Sequence, residues 1–432
     1  MIRISEKSLK LLFVISIFSL ASQCNTQEVN HEGLEPDADN GGISLPQGFR
    51  ALVVADELGR GRHIDVNDNG DIYMALRSLN DGKGIVALRD TTGDGRADIV
   101  KYFGDYAGTG MEIYNGYLYF GGDTMVLRYK LRPGELIPQE EPELVVSGFP
   151  DQNQHRDKPF AIDNDGNIYV NVGAPSNACM EETRTTGSPG IYPCPQLERQ
   201  AGIWNFRVDE LNQTQLEDGQ RYASGIRNSI ALTWNDVADN LYVVMHGRDQ
   251  LSQFFPDLYT EQQNAELPAE EFLLVKEGSA FSWPYYYYDQ IKGKMVLAPE
   301  YGGDGDKTEG PVEVEDPIMA FPGHLAPNDI LFYTGDQFPG KYRNGAFICF
   351  HGSWNRAPLE QEGYYVVYVP FEGELPSGDW EIFADDFAGR EVVNSPGQAE
   401  HRPMGIAMGN DGSLYVCDSQ KGKIWRIFYE GE

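Results

Sequence analysis

The chain has 432 residues, with 34 Lys and Arg residues against 66 Asp and Glu residues, so its formal net charge is −32. This excess of negative charge repels phosphate backbones and argues against nucleic acid as a partner. The 48 Gly, 25 Pro and 24 Tyr residues favour strands and turns, and an all-β fold can contain this length in one domain.

Residues 1–24 have the pattern of an export signal. Arg3, Lys7 and Lys10 precede the apolar run LLFVISIFSLAS, which is too short to span a bilayer as a lasting helix. Cys24 follows at once, although Gln23 is larger than the residue usually found before a lipidated Cys. The sequence therefore predicts export to the periplasm or to a membrane surface, with either lipidation of Cys24 or plain signal cleavage.

The next segment, NTQEVNHEGLEPDADNGG, is polar and contains little apolar surface. Such a composition cannot bury enough surface to fold by itself. The sequence predicts a flexible tether over residues 25–44 and a single folded domain over residues 45–432.

One hairpin pattern recurs through this domain: a short apolar strand, a turn rich in Asn, Asp and Gly, and an alternating strand. The copies are IDVNDNGDIYMAL (64–76), EIYNGYLYFGG (112–122), AIDNDGNIYVNVG (161–173), IALTWNDVADNLYVVM (230–245), DILFYTGDQFPGKYRNGAFICF (329–350) and IAMGNDGSLYVCD (406–418). A large sandwich or two small β domains would not explain this recurrence. The pattern predicts a six-bladed β-propeller, with the first strand of each blade facing a central channel.

The segment RDTTGDGRADI (89–99) spaces Asp90, Asp94 and Asp98 like the oxygen ligands of a calcium loop. It lacks the closing Glu, since Lys101 follows instead. Two interpretations stay open, a second and structural calcium site or a hydrogen-bonded Asp/Gly turn between strands.

Basic residues stand just before five of the six inner strands. They are Arg62 and His63, His155 to Lys158, Arg227 followed by Asn228, His324, and His401 with Arg402. Because these strand starts meet at one end of the channel, the sequence predicts a mouth that holds an anion with several charged oxygens through Arg side chains. Each residue alone could be a solvated surface group, so the prediction depends on their recurrence in so acidic a chain.

Cys179 and Cys194 bracket a loop rich in Gly, Pro, Ser and Thr. In an exported protein, a disulfide between them is the natural interpretation. Their spacing matches no usual zinc pattern, and no C-x-x-C-H haem motif is present. Cys349 and Cys417 each lie inside an apolar run and are predicted to be core residues.

The segments around these hairpins are HRDKPFAIDNDGNIYVNVGAPSNAC, SGIRNSIALTW, VMHGRDQLSQFFPD, GSAFSWPYYYY, HLAPNDILFYTGDQFPGKYRNGAFICFHGSWNR and HRPMGIAMGNDGSLYVCDSQKGKIWRI. Together they resemble the glucose/sorbosone dehydrogenases, over roughly residues 45 to 430. The likeness is nearer to the sorbosone-type branch, which carries HGSWNR. It implies an exported quinoprotein that uses pyrroloquinoline quinone and calcium to oxidise a sugar-derived alcohol or aldehyde and then reduces an acceptor that the sequence does not identify.

The resemblance also implies residue roles. His155 would be the general base that takes the substrate's hydroxyl proton while a hydride passes to the quinone. Arg227 and Asn228 would contact the quinone and stabilise charge on its reacting carbonyl. Backbone carbonyls of Gly247 and Arg248 would hold the calcium ion, which polarises that carbonyl.

Three further positions match the family less closely. Arg402 would pair with a cofactor carboxylate, but the soluble glucose enzymes carry two Arg in this blade where the chain has one. Their fifth-blade Lys has no clear counterpart, and Arg356 is the nearest substitute. Arg62 stands near a first-blade cofactor contact without matching it, although it would help to hold the tricarboxylate.

Two other functions suit a propeller. A calcium-dependent lactone hydrolase of the gluconolactonase kind would need acidic and Asn side chains around a metal in the channel, which the His and Arg residues at the mouth disfavour. A non-catalytic module that binds some other anion stays open, because a propeller hosts many functions.

Overall fold

The computed structural model describes residues 33–431, and in this part of the chain six sheets surround a central channel. They form the all-β, six-bladed propeller that the hairpin pattern predicts. The signal segment and Cys24 lie outside the described residues. No helix within residues 33–431 is both long and apolar enough to cross a membrane.

Each blade is a sheet of four antiparallel strands that follow one another from the channel to the outer edge. In that order, blade 1 is Gly61–Val66, Ile72–Asn80, Lys83–Arg89 and Ile99–Phe103; blade 2 is Gly108–Tyr114, Tyr117–Gly122, Val126–Lys130 and Glu143–Ser147; blade 3 is Phe160–Ile162, Asn167–Val172, Gly202–Arg207 and Gln220–Ser224; blade 4 is Ser229–Asn235, Asn240–Met245, Glu270–Val275 and Met319–Phe321; blade 5 is Pro327–Phe332, Ala346–Phe350, Tyr365–Val369 and Glu381–Ala384; blade 6 is Pro403–Met408, Leu414–Asp418, Ile424–Tyr429 and Phe49–Ala55.

The remaining elements are short and lie between the blades or at their edges. They are the hairpins Tyr286–Asp289 with Lys294–Leu297 and Phe371–Glu372 with Leu375–Pro376, the strand Gln213–Thr214 at the edge of blade 2, the α-helices Leu251–Phe254 and Glu261–Glu266, and the 3-10 turns Pro195–Glu198, Pro299–Tyr301, Gly340–Tyr342 and Pro396–Gln398.

The apolar core lies between neighbouring blades. Tyr119 of blade 2, for example, is buried in one cluster with Val170 and Trp204 of blade 3. Burial of each such side chain stabilises the fold by roughly 1.5–3 kcal/mol. Cys349 and Cys417 are buried free thiols, in agreement with the sequence.

The inner strands form a closed ring in which each contacts the next, including that of blade 6 with that of blade 1. Acidic side chains form hydrogen bonds between neighbouring inner strands. The Asp65 carboxylate accepts the N–H of Ile113 at 2.6 Å, and Glu112 accepts the N–H of Ile162 at 3.0 Å. These bonds fix the position of one inner strand relative to the next along the channel. They therefore also fix where the starts of the strands meet.

We expect Asp65→Asn to change how stability depends on pH. Burial raises the pKa of Asp65 to about 6 in the folded protein, so the wild type keeps this proton at a higher pH than its unfolded chain does. Stability from this group is therefore full below about pH 4 and is lost as pH rises through about 6, a change on the order of 2 kcal/mol.

Urea unfolding at low and neutral pH measures this effect. The wild type should gain stability relative to Asp65→Asn on acidification, while the exposed control Asp68→Asn should follow the wild type. Parallel pH curves for the wild type and Asp65→Asn would contradict the prediction.

Blade 6 is completed by a strand from the other end of the sequence. Phe49–Ala55 pairs antiparallel with Ile424–Tyr429. Phe49 is buried and packs edge-on against the rings of Phe338 and Phe383 at 4.7 and 5.0 Å between centroids. This pairing closes the ring.

The described part of the predicted tether is ordered against blade 6. The Asp37 N–H donates to the carbonyl of Ala51 at 2.9 Å, and the Trp425 indole donates to the carbonyl of Gly41 at 3.0 Å. The prediction of a flexible tether over 25–44 is therefore wrong for residues from Asp37 onward. This segment is held in place by hydrogen bonds to the outer strands of blade 6, so it does not need an apolar core of its own.

Candidate functional site

The starts of the inner strands meet at one end of the channel. We call this place the cup and define it by Arg62, His155, Arg227 and Arg402. Arg62 donates from Nε to Thr109 Oγ1 at 2.9 Å, and its Nη2 lies 3.0 Å from a carboxylate oxygen of Asp157, which ties blade 1 to blades 2 and 3. His63 reaches past blade 6, with Nε2 at 2.9 Å from the carbonyl of Asn328 in blade 5. These buried contacts make the floor of the cup.

His155 presents a neutral imidazole to this cup. Its Nδ1 lies 2.7 Å from the carbonyl oxygen of Ala174. A carbonyl only accepts, so Nδ1 carries the proton and Nε2 has a free lone pair; Nε2 makes no hydrogen bond within the described chain. Burial, then the charge of Arg227, lowers the pKa of His155 to about 3. The ring is therefore a base at neutral pH.

Arg227 is buried and is fixed by four hydrogen bonds. Nε and Nη2 donate to the backbone and side-chain oxygens of Asn177 at 3.2 and 2.9 Å, Nη2 also donates to Asp249 at 2.9 Å, and Nη1 donates to the carbonyl of Gly247 at 2.9 Å. Burial opposes ionisation of Asp249, but the charge of Arg227 together with those of His324 and Arg184 outweighs it, and the pKa of Asp249 is lowered to about 2. The pair is ionised, and one Nη1–H of Arg227 remains uncommitted.

Asn228 lies beside His155 and has an unsatisfied acceptor. Its Oδ1 is buried without a hydrogen-bond partner. Both side chains lie against Gly173, where a Cβ atom would come within 2.6 Å of the His155 Cβ and 2.7 Å of Asn228 Oδ1. Because Gly173 has no side chain, His155 and Asn228 can both lie this close to it, which places the unpaired Asn228 Oδ1 near the His155 side chain. A buried acceptor of this kind calls for a donor from a bound group.

Arg402 lies in the same mouth without an acidic partner for its guanidinium. Its Nε donates to the carbonyl of His351 at 3.0 Å, and Nη2 donates to the ring Nδ1 of His351 at 2.9 Å and to the carbonyl of Gly352. Because His351 Nδ1 accepts, its Nε2 donates to Ser419 Oγ at 2.6 Å. Arg402 Nη1 has no hydrogen-bond partner in residues 33–431, so it is available to an anion.

The histidines between these arginines join them into one site. Burial, together with the charges of Arg227 and Arg62, lowers the pKa of His246 to about 4. Burial also lowers the pKa of His351 well below its usual value, with Arg402 and Arg62 adding to the effect. The structure thus brings together four of the side chains that the sequence places at the mouth, Arg62, His155, Arg227 and Arg402. The predicted mouth residue His401 instead packs its ring against Trp425.

Arg356 does not belong to this group. Its guanidinium donates to the carbonyl of Ala265 at 2.9 Å and pairs with Glu266 at 2.9 Å and Glu362 at 2.7 Å. Two carboxylates neutralise its charge, so its proposed role as a substitute for the family's Lys is wrong. The sequence does not show that these acids surround it.

The predicted calcium position is also not supported. The carbonyl of Gly247 already accepts a hydrogen bond from the cationic Arg227, and a calcium ion on the same oxygen would meet that positive charge. The Arg248 side chain pairs with Glu300 in the interior. Residues 33–431 contain no cluster of three or more His, Cys, Asp or Glu residues suited to a metal.

The loop at 89–99 is a hydrogen-bonded Asp/Gly turn. Asp90 and Asp98 each accept several backbone N–H groups, and Asp94 accepts one. The donors are those of Thr91, Thr92, Gly93, Gly95 and Arg96. These donors account for the turn without a metal ion, and the second calcium site stays a prediction.

Cys179 and Cys194 form a disulfide close in sequence to Asn177, which binds Arg227. Asn177, two residues before Cys179, is buried; its Oδ1 accepts from Arg227 and from the N–H of Asp249 at 2.8 Å, and its Nδ2 donates to the carbonyl of Asp249 at 2.9 Å. One side chain thus orients both members of the buried ion pair.

The sequence interpretation missed Asn177, His246, Asp249 and His351 as members of the site. All four lie in segments that carry the family resemblance, SNAC, HGRDQ and HGSWNR. Those segments were a usable signal, but the sequence does not show which of their side chains face Arg227 or Arg402.

We expect Asn177→Ala to weaken binding of an anionic cofactor by about 10-fold or more, since Arg227 loses its bond to Asn177 Oδ1 and Asp249 loses the two backbone hydrogen bonds that position it. Isothermal titration of the variant with pyrroloquinoline quinone measures this. The control Asn164→Ala removes one exposed hydrogen bond, to Asp236, from a different part of blade 3 and should keep the wild-type affinity. Unchanged affinity in a folded Asn177→Ala protein would show that its anchoring of Arg227 is dispensable.

Fold and site together define a six-bladed propeller with a cationic channel mouth and a neutral His base. The family model described as TrAA12-like matches residues 43–430, and the chain belongs to this family.

Two curated proteins are similar to part of the chain. The chain is 26% identical over 209 residues to an uncharacterized protein of Borreliella burgdorferi, which covers 48% of each chain. It is 24% identical over 280 residues to a pyrroloquinoline quinone-dependent pyranose dehydrogenase of Coprinopsis cinerea, which covers 56% of this chain and 36% of that protein. The chain therefore matches about half and about a third of these relatives' lengths.

A solved structure extends the likeness over nearly the whole propeller. The holo form of the pyranose dehydrogenase PQQ domain from Coprinopsis cinerea superposes with a TM-score of 0.70 at 18% identity, covering 92% of this chain and 98% of that one. At this identity the likeness establishes the fold and not the ligand.

Proposed function

We propose that the protein is a quinone-dependent oxidoreductase that binds pyrroloquinoline quinone in the cup and oxidises a sugar hydroxyl or aldehyde group. One observation carries the proposal: His155, whose Nε2 is free, lies beside Asn228, whose Oδ1 is unsatisfied, and near the buried cation of Arg227. The family and the named Coprinopsis relative support it.

The side chains fit this cofactor, which is a planar tricarboxylate with N–H and carbonyl groups. Arg402 Nη1 and the uncommitted Nη1–H of Arg227 can each donate to a carboxylate or a quinone oxygen. Asn228 Oδ1 can accept an N–H. Arg62, whose hydrogen-bonding groups face Thr109 and Asp157, contributes mainly its charge from the floor.

When bound, the quinone supplies the hydride acceptor that no side chain can provide. His155 takes the proton of the substrate hydroxyl at Nε2. Its Nδ1–H bond to Ala174 keeps the ring oriented and stabilises the imidazolium that forms. Arg227 keeps the imidazole unprotonated before substrate arrives and stabilises negative charge at the reacting carbonyl.

Two finer assignments belong to this proposal. The sorbosone-type substrate preference rests on the HGSWNR segment alone. Calcium dependence rests on the resemblance, and no step above is derived through calcium because the Gly247 carbonyl is already bonded to Arg227. A calcium titration against a chelator, with cofactor affinity as the readout, decides this.

The proposal is tested by adding pyrroloquinoline quinone to the purified protein, with and without calcium. We expect a bound quinone spectrum and dye reduction that requires a sugar or sugar aldehyde. No binding at micromolar cofactor would refute the proposal. Hydrolysis of a sugar lactone without quinone would favour the lactone hydrolase instead.

Export is part of the same proposal, since the Cys179–Cys194 disulfide suits an oxidising compartment. We expect the full chain to fractionate outside the cytosol. If Cys24 carries a lipid, Cys24→Ser should move the protein from the membrane fraction to the soluble one. Retention of the wild type in the cytosol would contradict export.

A further inference from the structure

Two exposed arginines stand beside the cup without a partner. Arg60 directly precedes the inner strand of blade 1, and Arg77 lies in the next strand of that blade. The Arg77 N–H donates to the Arg60 carbonyl at 2.9 Å, so the two residues are adjacent across the hairpin. Neither guanidinium makes an ion pair or a hydrogen bond with another residue of the described chain.

Backbone contacts place this pair next to Arg402. Gly61, which follows Arg60, is in such close contact with blade 6 that a Cβ there would come within 2.6 Å of the Asp418 carbonyl. The Arg402 N–H donates to the Asp418 carboxylate at 2.7 Å. Burial is the main cause of the lowered pKa of Arg402, and the charges of Arg60 and Arg77 add to it.

Elsewhere in the described chain, some exposed arginines face a carboxylate, whereas Arg221, Arg343 and Arg390 make no ion pair. Arg132 pairs with Glu140, and Arg207 pairs with Asp209 at 3.1 Å. Arg60 and Arg77 repel the charge of Arg402, a cost that a bound anion reduces, although Asp157 attracts Arg77 and Asp418 attracts Arg402. The solvent-facing side of the cup is therefore built for an anion.

This anion is distinct from the cofactor carboxylate assigned to Arg402. Arg402 is largely enclosed by His351 and Gly352, whereas Arg60 and Arg77 are exposed on the solvent side. The forked guanidinium matches a carboxylate in geometry and charge.

We infer that Arg60 and Arg77 bind the carboxylate of an acidic sugar, so that the substrates are sugars of the uronic acid class. The inference rests on the proposed function. It adds a specificity subsite at the entrance, while the oxidation itself takes place at His155.

The test compares the cofactor-loaded wild type with Arg60→Gln, Arg77→Gln and the double variant. We expect the wild type to prefer glucuronate to glucose in kcat/KM. The double variant should lower the ratio of the two kcat/KM values by about 10- to 100-fold, mainly through KM for glucuronate. The control Arg132→Gln, which removes an exposed arginine of an ion pair, should keep the wild-type ratio.

Direct binding separates failure of this inference from failure of the proposed function. Saturation-transfer NMR detects glucuronate on the cofactor-free wild type, and the signal should weaken in the double variant even if no quinone binds. Sugar oxidation with no acid preference and no effect of the double variant would overturn the inference alone. Binding of glucose 6-sulfate but not glucuronate would overturn the carboxylate assignment. A double variant that loses cofactor affinity but keeps the preference for the acidic sugar would overturn it too.

Discussion

His155→Asn should lower kcat by about 10²- to 10⁴-fold while cofactor affinity stays close to that of the wild type. The Asn side-chain amide occupies the place of Nδ1 and can still donate to the Ala174 carbonyl, so the loop keeps its anchor. What the variant lacks is Nε2, the atom that receives the substrate proton. Turnover with saturating quinone and sugar measures the loss.

Three readouts distinguish a lost base from a damaged structure. His401→Asn is the matched control, because His401 Nδ1 bonds to Asp418 at 3.2 Å and its ring packs against Trp425 instead of facing the cup. It should retain turnover. Added imidazole should partly restore His155→Asn, and near-wild-type turnover in that variant would remove His155 from the mechanism.

The pH profile provides the third readout. The pKa of His155 is lowered to about 3, so the base is already unprotonated throughout the neutral range. Protonation of His155 should reduce kcat/KM only when pH falls toward about 3, and not near the usual imidazole value of about 6.5.

Arg227→Gln should have the other large effect, with cofactor affinity lowered by about 100-fold or more and the folded state destabilised by about 3–5 kcal/mol. The substitution removes the cation nearest the imidazole and leaves the Asp249 carboxylate buried without a counter-charge. Titration calorimetry and urea unfolding measure the two losses separately.

A second substitution separates the two roles of Arg227. Asp249→Asn combined with Arg227→Gln removes the stranded charge, so much of the stability should return while cofactor affinity stays low. Arg227→Lys keeps a charge but cannot reach Asn177, Asp249 and Gly247 at once, and should be intermediate. Restored cofactor affinity in the double variant would show that Arg227 supports cofactor binding only by stabilising the folded structure around Asp249.

The repeat and the cup could be predicted from sequence because their signals are local. The turn residues of each hairpin, such as the Asn and Asp before Gly70 and Gly412, specify a tight reversal whatever the rest of the chain does. Once six hairpins are counted, propeller geometry brings their starts together, so His155, Arg227 and Arg402 follow from the fold.

The errors concern partners that are distant in sequence. Arg356 is neutralised by Glu266, which lies 90 positions away, and the Gly247 carbonyl is occupied by Arg227. Residue type and spacing show that an Arg or a carbonyl is present, but not whether its hydrogen-bonding capacity is already used. The same reason explains why Asn177 was overlooked and why the segment at Asp37 was expected to be free.

The closure of blade 6 by Phe49–Ala55 and Ile424–Tyr429 has a consequence for biogenesis. Arg402 lies at the start of that blade, so the pocket is incomplete until residues 424–429 have left the ribosome. Loading with a ligand must follow synthesis of the whole propeller, and a variant without residues 424–429 should fail to load although every residue that touches the ligand is retained.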